Sequence, residues 1–80
     1  KEVVVDTDSP YTYVGRLTAA NDRLLQLKNA DVRDRRDSTT TVDRYLIEVK
    51  KSGVRPNRRN VAVRTPMVVD ISLLEDVIEY

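Results

Sequence analysis

Apolar and polar positions alternate along the first third of the chain in the manner of β-strands. In the run YTYVGRLT, residues 11–18, a two-residue period puts Tyr11, Tyr13, Gly15 and Leu17 on one face and Thr12, Val14, Arg16 and Thr18 on the other. This pattern predicts one half-buried strand with its tyrosines on the core face. The β-branched run Val3-Val4-Val5 before it predicts another strand, and Asp8-Ser9-Pro10 between the two has turn chemistry.

A second apolar run follows a polar break, which predicts a hairpin. The break Asn21-Asp22 suits a tight reversal because both side chains can bond their own backbone and tolerate left-handed geometry. The partner strand is expected from about Arg23 to Val32, and the mixed-charge run 31–37 is interpreted as a strand end or loop. Gly15 lies inside the first strand, where a glycine indicates a bulge, a sharp bend or a close backbone approach.

Residues 38–53 carry two periodicities, so a helix and a strand both fit. As a helix, the segment would begin after the N-cap Thr41 and end at Gly53, with an apolar stripe of Val42, Tyr45, Leu46 and Val49. As a strand, it would alternate Tyr45, Ile47 and Val49 against Leu46, Glu48 and Lys50. The end signals favour the helix, because strand pairing does not explain them.

The last third predicts two short strands and a helical turn. Residues 54–60 form a polar, basic connection, and Val61-Ala62-Val63 resumes strand character. Thr65-Pro66 interrupts the pattern, which continues over residues 67–71. Ser72 with Glu75 three residues on has the capping-box arrangement, so a helical turn or two is expected over residues 73–79.

Composition limits the chain to one small domain, residues 1–80. The sequence has no cysteine and no histidine, which excludes disulfides, thiolate metal sites and the usual zinc sets, and no cofactor is expected. Its longest apolar runs are a few residues, far below the roughly 20 that cross a bilayer. We therefore expect a cytoplasmic protein with no membrane partner.

Charge is distributed unevenly although the formal net charge is only +1. Residues 50–60 hold a basic cluster with no acid among them, composed of Lys50, Lys51, Arg55, Arg58 and Arg59. One interpretation is a loop that contacts phosphates. The other is a solubilising loop, or one that contacts the acidic tail of a neighbouring subunit, Asp70, Glu75, Asp76 and Glu79.

Two stretches of the sequence resemble the motifs of the Sm/LSm family, including its bacterial Hfq-like members. Gly15-Arg16-Leu17, Asn21-Asp22 and the run 24–29 (LLQLKN) resemble the first motif. Residues 61–68 (VAVRTPMV) resemble the second, with Thr65 where the family has glycine after its arginine. The resemblance covers about residues 3–32 and 60–71.

The resemblance implies a fold and an assembly. The fold is a small, mainly β, strongly bent antiparallel five-stranded barrel of the SH3 type. Here it would carry a helical insertion before the fourth strand and a short C-terminal helical turn. The family's usual helix precedes the first strand, so a helix at the insertion is a departure. Copies would join through their edge strands into a homo-oligomeric ring, which pairs backbone groups that a partly open barrel leaves exposed.

The resemblance also implies an RNA site. In Sm-like RNA binders a base, typically uracil, stacks between a side chain near the first motif and the second-motif arginine, and an asparagine reads its edge. In an alignment without gaps, Asn21 takes the position of the family's aspartate and Arg23 that of the stacking side chain. Leu25 takes the position of the base-reading asparagine, and Arg64 that of the second-motif arginine. A one-residue shift instead places Asp22 and Gln26 at the polar positions. Leucine cannot bond a base edge, so the ungapped alignment removes uridine selection.

Two functions follow as expectations. The first is a ring that binds RNA weakly and with little sequence preference through Asn21, Arg23, Arg64, Lys50, Lys51, Arg55, Arg58 and Arg59. The second is an oligomeric structural or protein-interaction module in which these charges serve subunit contacts, with Arg64 paired to an acid such as Asp22 and Arg23 in a solvated turn. No catalytic pair, nucleophile or glycine-rich loop stands out, so an enzyme is not expected.

Overall fold

The computed structural model describes residues 1–36 and 41–79, which form one antiparallel sheet of five strands and one α-helix. The elements are β1 (Glu2–Thr7), β2 (Tyr11–Ala20), β3 (Leu24–Asp34), α1 (Val42–Ser52), β4 (Arg58–Arg64) and β5 (Val68–Leu73). Short 3-10 turns cover Thr65–Met67 and Leu74–Asp76. The strand order is β4-β3-β2-β1-β5, so the sheet is open and has β4 and β5 at its edges. The mainly β class and the helix before β4 are confirmed.

Gly15 lies at a close contact between β2 and β3. A Cβ atom at this position would be 2.9 Å from both the Cα and the Cβ of Ala30, which no side chain tolerates without a shift. The pairing register changes here by one residue, and Asn29 on β3 has a φ of 50°. The predicted hairpin, close approach and bulge are confirmed, and β3 extends to Asp34 rather than ending near Val32.

The prediction that β2 is buried on one face only is wrong. Thr12 and Val14 are fully buried on the face assigned to solvent, while Tyr13 and Leu17 pack on the opposite face. Tyr11, expected in the core, is 38% exposed. The physical reason is that α1 covers the second face, a long-range contact that strand periodicity does not reveal.

Residues 42–52 are a helix, so the strand alternative is wrong. The hydroxyl of Thr41 accepts a hydrogen bond from the backbone N–H of Arg44 at 3.2 Å, the geometry of an N-cap. Gly53 ends the helix with a φ of 89°, and its N–H donates to the carbonyl of Val49 at 2.8 Å.

Residues 38–40 of the ambiguous segment, together with Asp37 and Tyr80, lie outside the described residues. No helix in the described ranges is long and apolar enough to span a membrane.

Side chains on one face of α1 fix it to the sheet. The Tyr45 hydroxyl donates a hydrogen bond to the Asp31 carboxylate, and the Arg33 guanidinium lies 4.1 Å from the centre of the Tyr45 ring. Burial, followed by the bond to Asp31, raises the pKa of Tyr45. Val49 packs beside it in a cluster with Val4 and other apolar side chains.

Two apolar layers hold the domain together, one on each face of the sheet. The first contains Val3, Val5, Leu25, Leu27, Ala30 and Val63. The second, under the helix, contains Val4, Val14, Tyr45, Val49 and Leu74. Successive residues of a strand point to opposite faces, so the run Val3-Val4-Val5 supplies both layers. This explains why β1 is continuously apolar.

The C-terminal helix is shorter than the capping box predicts. Only Leu74–Asp76 forms a 3-10 turn, Ser72 belongs to β5, and no side-chain hydrogen bond caps the turn. Leu74 is buried under α1, whereas Ile78 is 66% exposed. Ser72 and Leu73 are in the strand because β5 pairs with β1 as far as Leu73, so they are not available to begin a helix.

Two carboxylates oppose each other where β5 joins β1. Asp6 and Asp70 are direct partners in the antiparallel pairing, and the Thr12 hydroxyl donates to the Asp6 carboxylate at 3.3 Å. Burial raises the pKa of Asp6, and the hydrogen bond and negative charge of Asp70 raise it further. The positive charge of Arg35 and the Thr12 bond act in the opposite direction.

We predict that replacing Asp70 by asparagine stabilises the fold at neutral pH. The pKa of Asp6 is higher in the folded state than in the unfolded state. The protonated carboxyl therefore contributes its full stability below the unfolded-state pKa, and this contribution is lost as the pH rises through the folded-state pKa. Removing the opposing charge should add several tenths of a kcal/mol to about 1 kcal/mol at pH 7, the range for cross-strand pairs, and nothing at pH 3. Urea unfolding at both values measures it. A D70N midpoint no higher than wild type at pH 7 would contradict the prediction, and D22N in the β2–β3 turn is the control.

Candidate nucleic-acid interface

The β2–β3 turn is built around the side chain of Asn21. Its carboxamide oxygen accepts hydrogen bonds from the backbone N–H groups of Arg23 at 2.8 Å and Leu24 at 2.9 Å. The backbone N–H of Asn21 in turn donates to the carbonyl of Leu24 at 3.0 Å. Asn21 therefore shapes the turn, and the oxygen that could have read a base is engaged by the backbone.

Thr65 joins this turn to the end of β4. Its N–H donates to the carbonyl of Arg23 at 2.8 Å, and its hydroxyl donates to the carbonyl of Asn21 at 2.9 Å. Arg64 precedes Thr65 and is the pairing partner of Leu24 at the end of the β3–β4 ladder. These bonds bring Arg23 and Arg64, separated by 41 positions in the sequence, to the same site.

The site is an open pocket of about 500 Å³ at this end of the sheet. Its lining consists of Asp22, Arg23, Leu24, Arg64 and Pro66. Leu24 is 36% exposed here, so part of the lining is apolar. The pocket thus combines apolar surface with two guanidinium groups and one carboxylate.

The charged groups of the pocket have no ion-pair partner among residues 1–36 and 41–79. The ion pairs found in the described ranges join Lys1 to Glu75, Arg36 to Asp34, Arg44 to Glu48 and Lys51 to Glu79. Among the described residues, no hydrogen bond or ion pair engages the side chains of Asp22, Arg23 or Arg64. The alternative in which Arg64 pairs with Asp22 is therefore wrong, and both guanidinium groups are available to a ligand.

The basic cluster of residues 50–60 is not one loop. Lys50 donates to the carbonyl of Val77 at 2.6 Å, and Lys51 forms an ion pair with Glu79 at 2.7 Å, both from the last turn of α1. Glu79, one of the four acids proposed to contact a neighbour, is thus paired with a lysine of its own chain. The remaining residues of the cluster lie elsewhere.

Arg55 and the pair Arg58-Arg59 occupy different elements. Arg55 lines a separate cavity of about 300 Å³ with Asp31, Tyr45 and Glu48. Arg58 and Arg59 are exposed residues at the start of β4, which begins before the predicted Val61. The interpretation of residues 54–60 as a polar, basic connection is therefore wrong for residues 58–60, which belong to the edge strand β4.

The pocket matches neither alignment of the first motif completely. Leu25, the reading position of the ungapped alignment, is buried in the core, so it does not face the pocket. Asp22, a polar position of the shifted alignment, lines the pocket, but Gln26 lines a different depression with Thr18 and Asn60. Neither alignment accounts for the whole site.

Sequence reasoning missed three contributors to the pocket. Thr65 appeared only as a departure from the family's glycine, and its hydrogen bonds to the turn carry no local signal. Leu24 was assigned to an apolar strand and Pro66 to an interruption, and each proves to supply apolar pocket surface. Only the exposure of Leu24 at the strand end could have been anticipated, from its place next to the turn.

Comparisons with known proteins leave the resemblance as a prediction. The chain matches no family model, no curated protein and no solved structure. Within the described ranges, no group of three or more aspartate or glutamate side chains is placed to hold a metal ion. The pocket and the sheet edges are therefore the features that bear on function.

Proposed function

We propose that this chain is an Sm-like protein that binds single-stranded RNA in the pocket of Arg23 and Arg64. The observation that carries the proposal is the Thr65 connection, which places two arginines, unpaired among the described residues, at one pocket lined in part by Leu24 and Pro66. Single-stranded nucleic acid is bound by positively charged grooves with surfaces on which bases stack. Guanidinium planes are among the groups that stack on bases, since they carry charge and a flat face.

The expected binding mode is one nucleotide per pocket. A base would stack on an arginine and on the apolar surface of Leu24 and Pro66, while the second guanidinium would meet the adjoining phosphate. The two cations against one carboxylate favour a polyanion. Since stacking does not depend on base identity, most of the affinity would be tolerant of sequence.

The Sm-like, SH3-type barrel is part of the same proposal. Support comes from the close contact and register shift at Gly15, from the strand order with β4 and β5 as the two edges, and from the 3-10 turn Thr65–Met67 that connects them. In a strongly bent sheet such a turn brings the edge strands toward each other. The described sheet remains open, which leaves both edges for a second copy.

Self-assembly through these edges completes the proposal. On β5, Val69 is 65% exposed and Ile71 is 45% exposed, and the strand has no proline or lysine that would protect it. On β4, Arg58 and Arg59 are exposed. Antiparallel pairing of β4 with the β5 of the next copy would place these arginines next to the Leu74–Asp76 turn of that copy. This turn contains the acids Glu75 and Asp76. A head-to-tail contact of this kind closes into a ring when its rotation permits.

A second function keeps the assembly and omits the RNA. It is favoured by the engagement of Lys50 and Lys51 within the chain, which removes part of the basic surface that RNA would use. In that case the arginines of β4 would serve only contacts between copies.

RNA binding is tested by replacing each pocket arginine with alanine and measuring fluorescence anisotropy with a labelled short single-stranded RNA. We expect R23A and R64A each to weaken binding by roughly 10- to 100-fold, the range for loss of a stacked contact. Affinity of the wild type should also fall steeply as salt rises. R44A, on the exposed side of α1, is the matched control and should bind like the wild type.

Oligomeric mass, measured on the same samples by light scattering, separates the two functions. R23A should assemble like the wild type, because Arg23 lies in the β2–β3 turn and on neither edge strand. Arg64 is the last residue of β4, so the RNA affinity of R64A is compared with the wild type at the mass measured for that variant. An RNA affinity that is absent in the wild type, or that is unchanged in both variants, would eliminate RNA binding at this pocket and leave the structural module.

A further inference from the structure

Asp22 gives the pocket a hydrogen-bond acceptor that no donor of the described residues occupies. Its side chain lines the pocket with Arg23 and Arg64, and it forms no hydrogen bond or ion pair with the other described residues. Asn21, the neighbouring amide, cannot serve as the acceptor because its oxygen already receives two backbone N–H groups. Any base that enters the pocket therefore meets a carboxylate.

A carboxylate discriminates between bases through the donors that they present. It has two acceptor oxygens and no proton to give when ionised. Guanine offers two adjacent donors on its Watson–Crick edge, N1–H and N2–H₂, which match two carboxylate oxygens. Uracil flanks its single N3–H with two carbonyl oxygens, which a carboxylate repels. Adenine and cytosine each place one amino group beside an acceptor nitrogen, so they satisfy one oxygen only.

The arginines match the opposite edge of the same base. Guanine carries the acceptors O6 and N7 side by side, and a bidentate contact from arginine to this pair is the commonest specific arginine contact to a base. Either Arg23 or Arg64 could supply it while the other stacks on the base or meets a phosphate. No other base combines paired donors on one edge with paired acceptors on the next.

We infer that the pocket selects guanine, with Asp22 reading the Watson–Crick edge and one of the two arginines reading O6 and N7. This inference rests on the proposed function, because it requires that the pocket binds RNA. It assigns to Asp22 the base-reading role, and it predicts a preference that differs from the uridine preference implied by the family resemblance.

The test uses short RNAs that differ at one base. Pentanucleotides of uridine with guanine, inosine, adenine, cytosine or uracil at the centre avoid the self-association of guanine runs. Inosine keeps N1–H, O6 and N7 but lacks the N2 amino group. We expect the guanine RNA to bind about 10-fold or more tightly than the uracil RNA, consistent with one good bidentate pair, and the inosine RNA to lie between them.

The variant D22N isolates the reading residue. An asparagine keeps the shape but replaces one acceptor by a donor, so the ratio of guanine to uracil affinity should fall to near one. D43N in the first turn of α1 is the matched control and should keep the wild-type ratio. Backbone amide shifts of residues 22–24 and 64–65 in NMR spectra should show the guanine RNA entering this pocket.

The possible outcomes separate the inference from the function beneath it. RNA binding that depends on Arg23 and Arg64 but shows no preference for guanine would overturn the inference and leave the proposed function standing. A guanine preference that survives in D22N would also overturn the role of Asp22. If none of the five RNAs binds, the proposed function fails together with the inference.

Discussion

Replacing Gly15 by valine is expected to destabilise the fold by about 3 kcal/mol or more, the upper part of the range for overpacked sites. A Cβ at this position already comes within 2.9 Å of the Ala30 backbone and side chain, and valine adds two methyl groups. Typical stabilities of about 0.05–0.15 kcal/mol per residue give an 80-residue domain only roughly 4–12 kcal/mol in total. Urea unfolding followed by circular dichroism measures the change.

The cause of this loss can be separated from ordinary glycine effects. In the milder variant G15A, the second substitution A30G removes one of the two contacting atoms but leaves the Ala30 Cα, so it should restore part of the lost stability. At Gly53 a Cβ meets nothing within 4 Å, and alanine there costs only backbone strain at a φ of 89°. A30G should therefore not rescue G53A. Equal rescue of both variants would contradict a steric cause at Gly15.

If copies assemble through β5 as proposed, replacing Ile71 by lysine is expected to give a monomer of 9.2 kDa, which light scattering measures directly. Ile71 is half-exposed on the edge strand β5, opposite Val5 of β1. A lysine here would place a charge in the contact with the β4 of the next copy, and lysine on an edge strand is a common natural protection against such pairing. Because the side chain is already accessible to solvent, the fold itself should lose little stability.

The comparison variant for this edge is I78K. Ile78 is more exposed than Ile71 but follows the last 3-10 turn and belongs to no strand, so its replacement should leave the mass unchanged. The double reversal R58E/R59E should act like I71K if the arginines of β4 meet acids of the next copy. A wild-type chain that is already monomeric at micromolar concentration would refute edge assembly whatever the variants do.

Loss of assembly should also change RNA binding in a length-dependent way. A monomer retains one complete pocket, since every residue that lines it comes from one chain. A pentanucleotide should therefore bind I71K much as it binds the wild type. A longer RNA that spans several pockets gains affinity only in the oligomer, through effective concentration.

Local signals in the sequence account for much of the fold. The helix could be predicted because Thr41 and Gly53 mark its ends within the segment itself. The hairpin and the contact at Gly15 could be predicted because Asn21 and the glycine interrupt clear strand patterns. In each case the interaction that decides the structure lies within a few residues or across one hairpin.

The parts that could not be predicted depend on contacts between distant segments. Burial of Thr12 and Val14 requires knowing where α1 packs, which the period of β2 does not contain. The start of β4 at Arg58 could not be predicted, because the exposed beginning of an edge strand carries no alternation of apolar and polar residues. Among the candidate site residues, Arg23 and Arg64 are brought together, whereas the cluster 50–60 is divided between α1, a connection and β4.

The hydroxyl of Thr65 donates a hydrogen bond to the carbonyl of Asn21 in the β2–β3 turn, 44 positions earlier in the sequence. If the β2–β3 hairpin forms before β4 has been synthesised, it contains Arg23 but lacks Arg64. Only after β4 has emerged and docked does the second guanidinium arrive. If the pocket binds RNA as proposed, a nascent chain would acquire its binding site only once β4 has paired with β3.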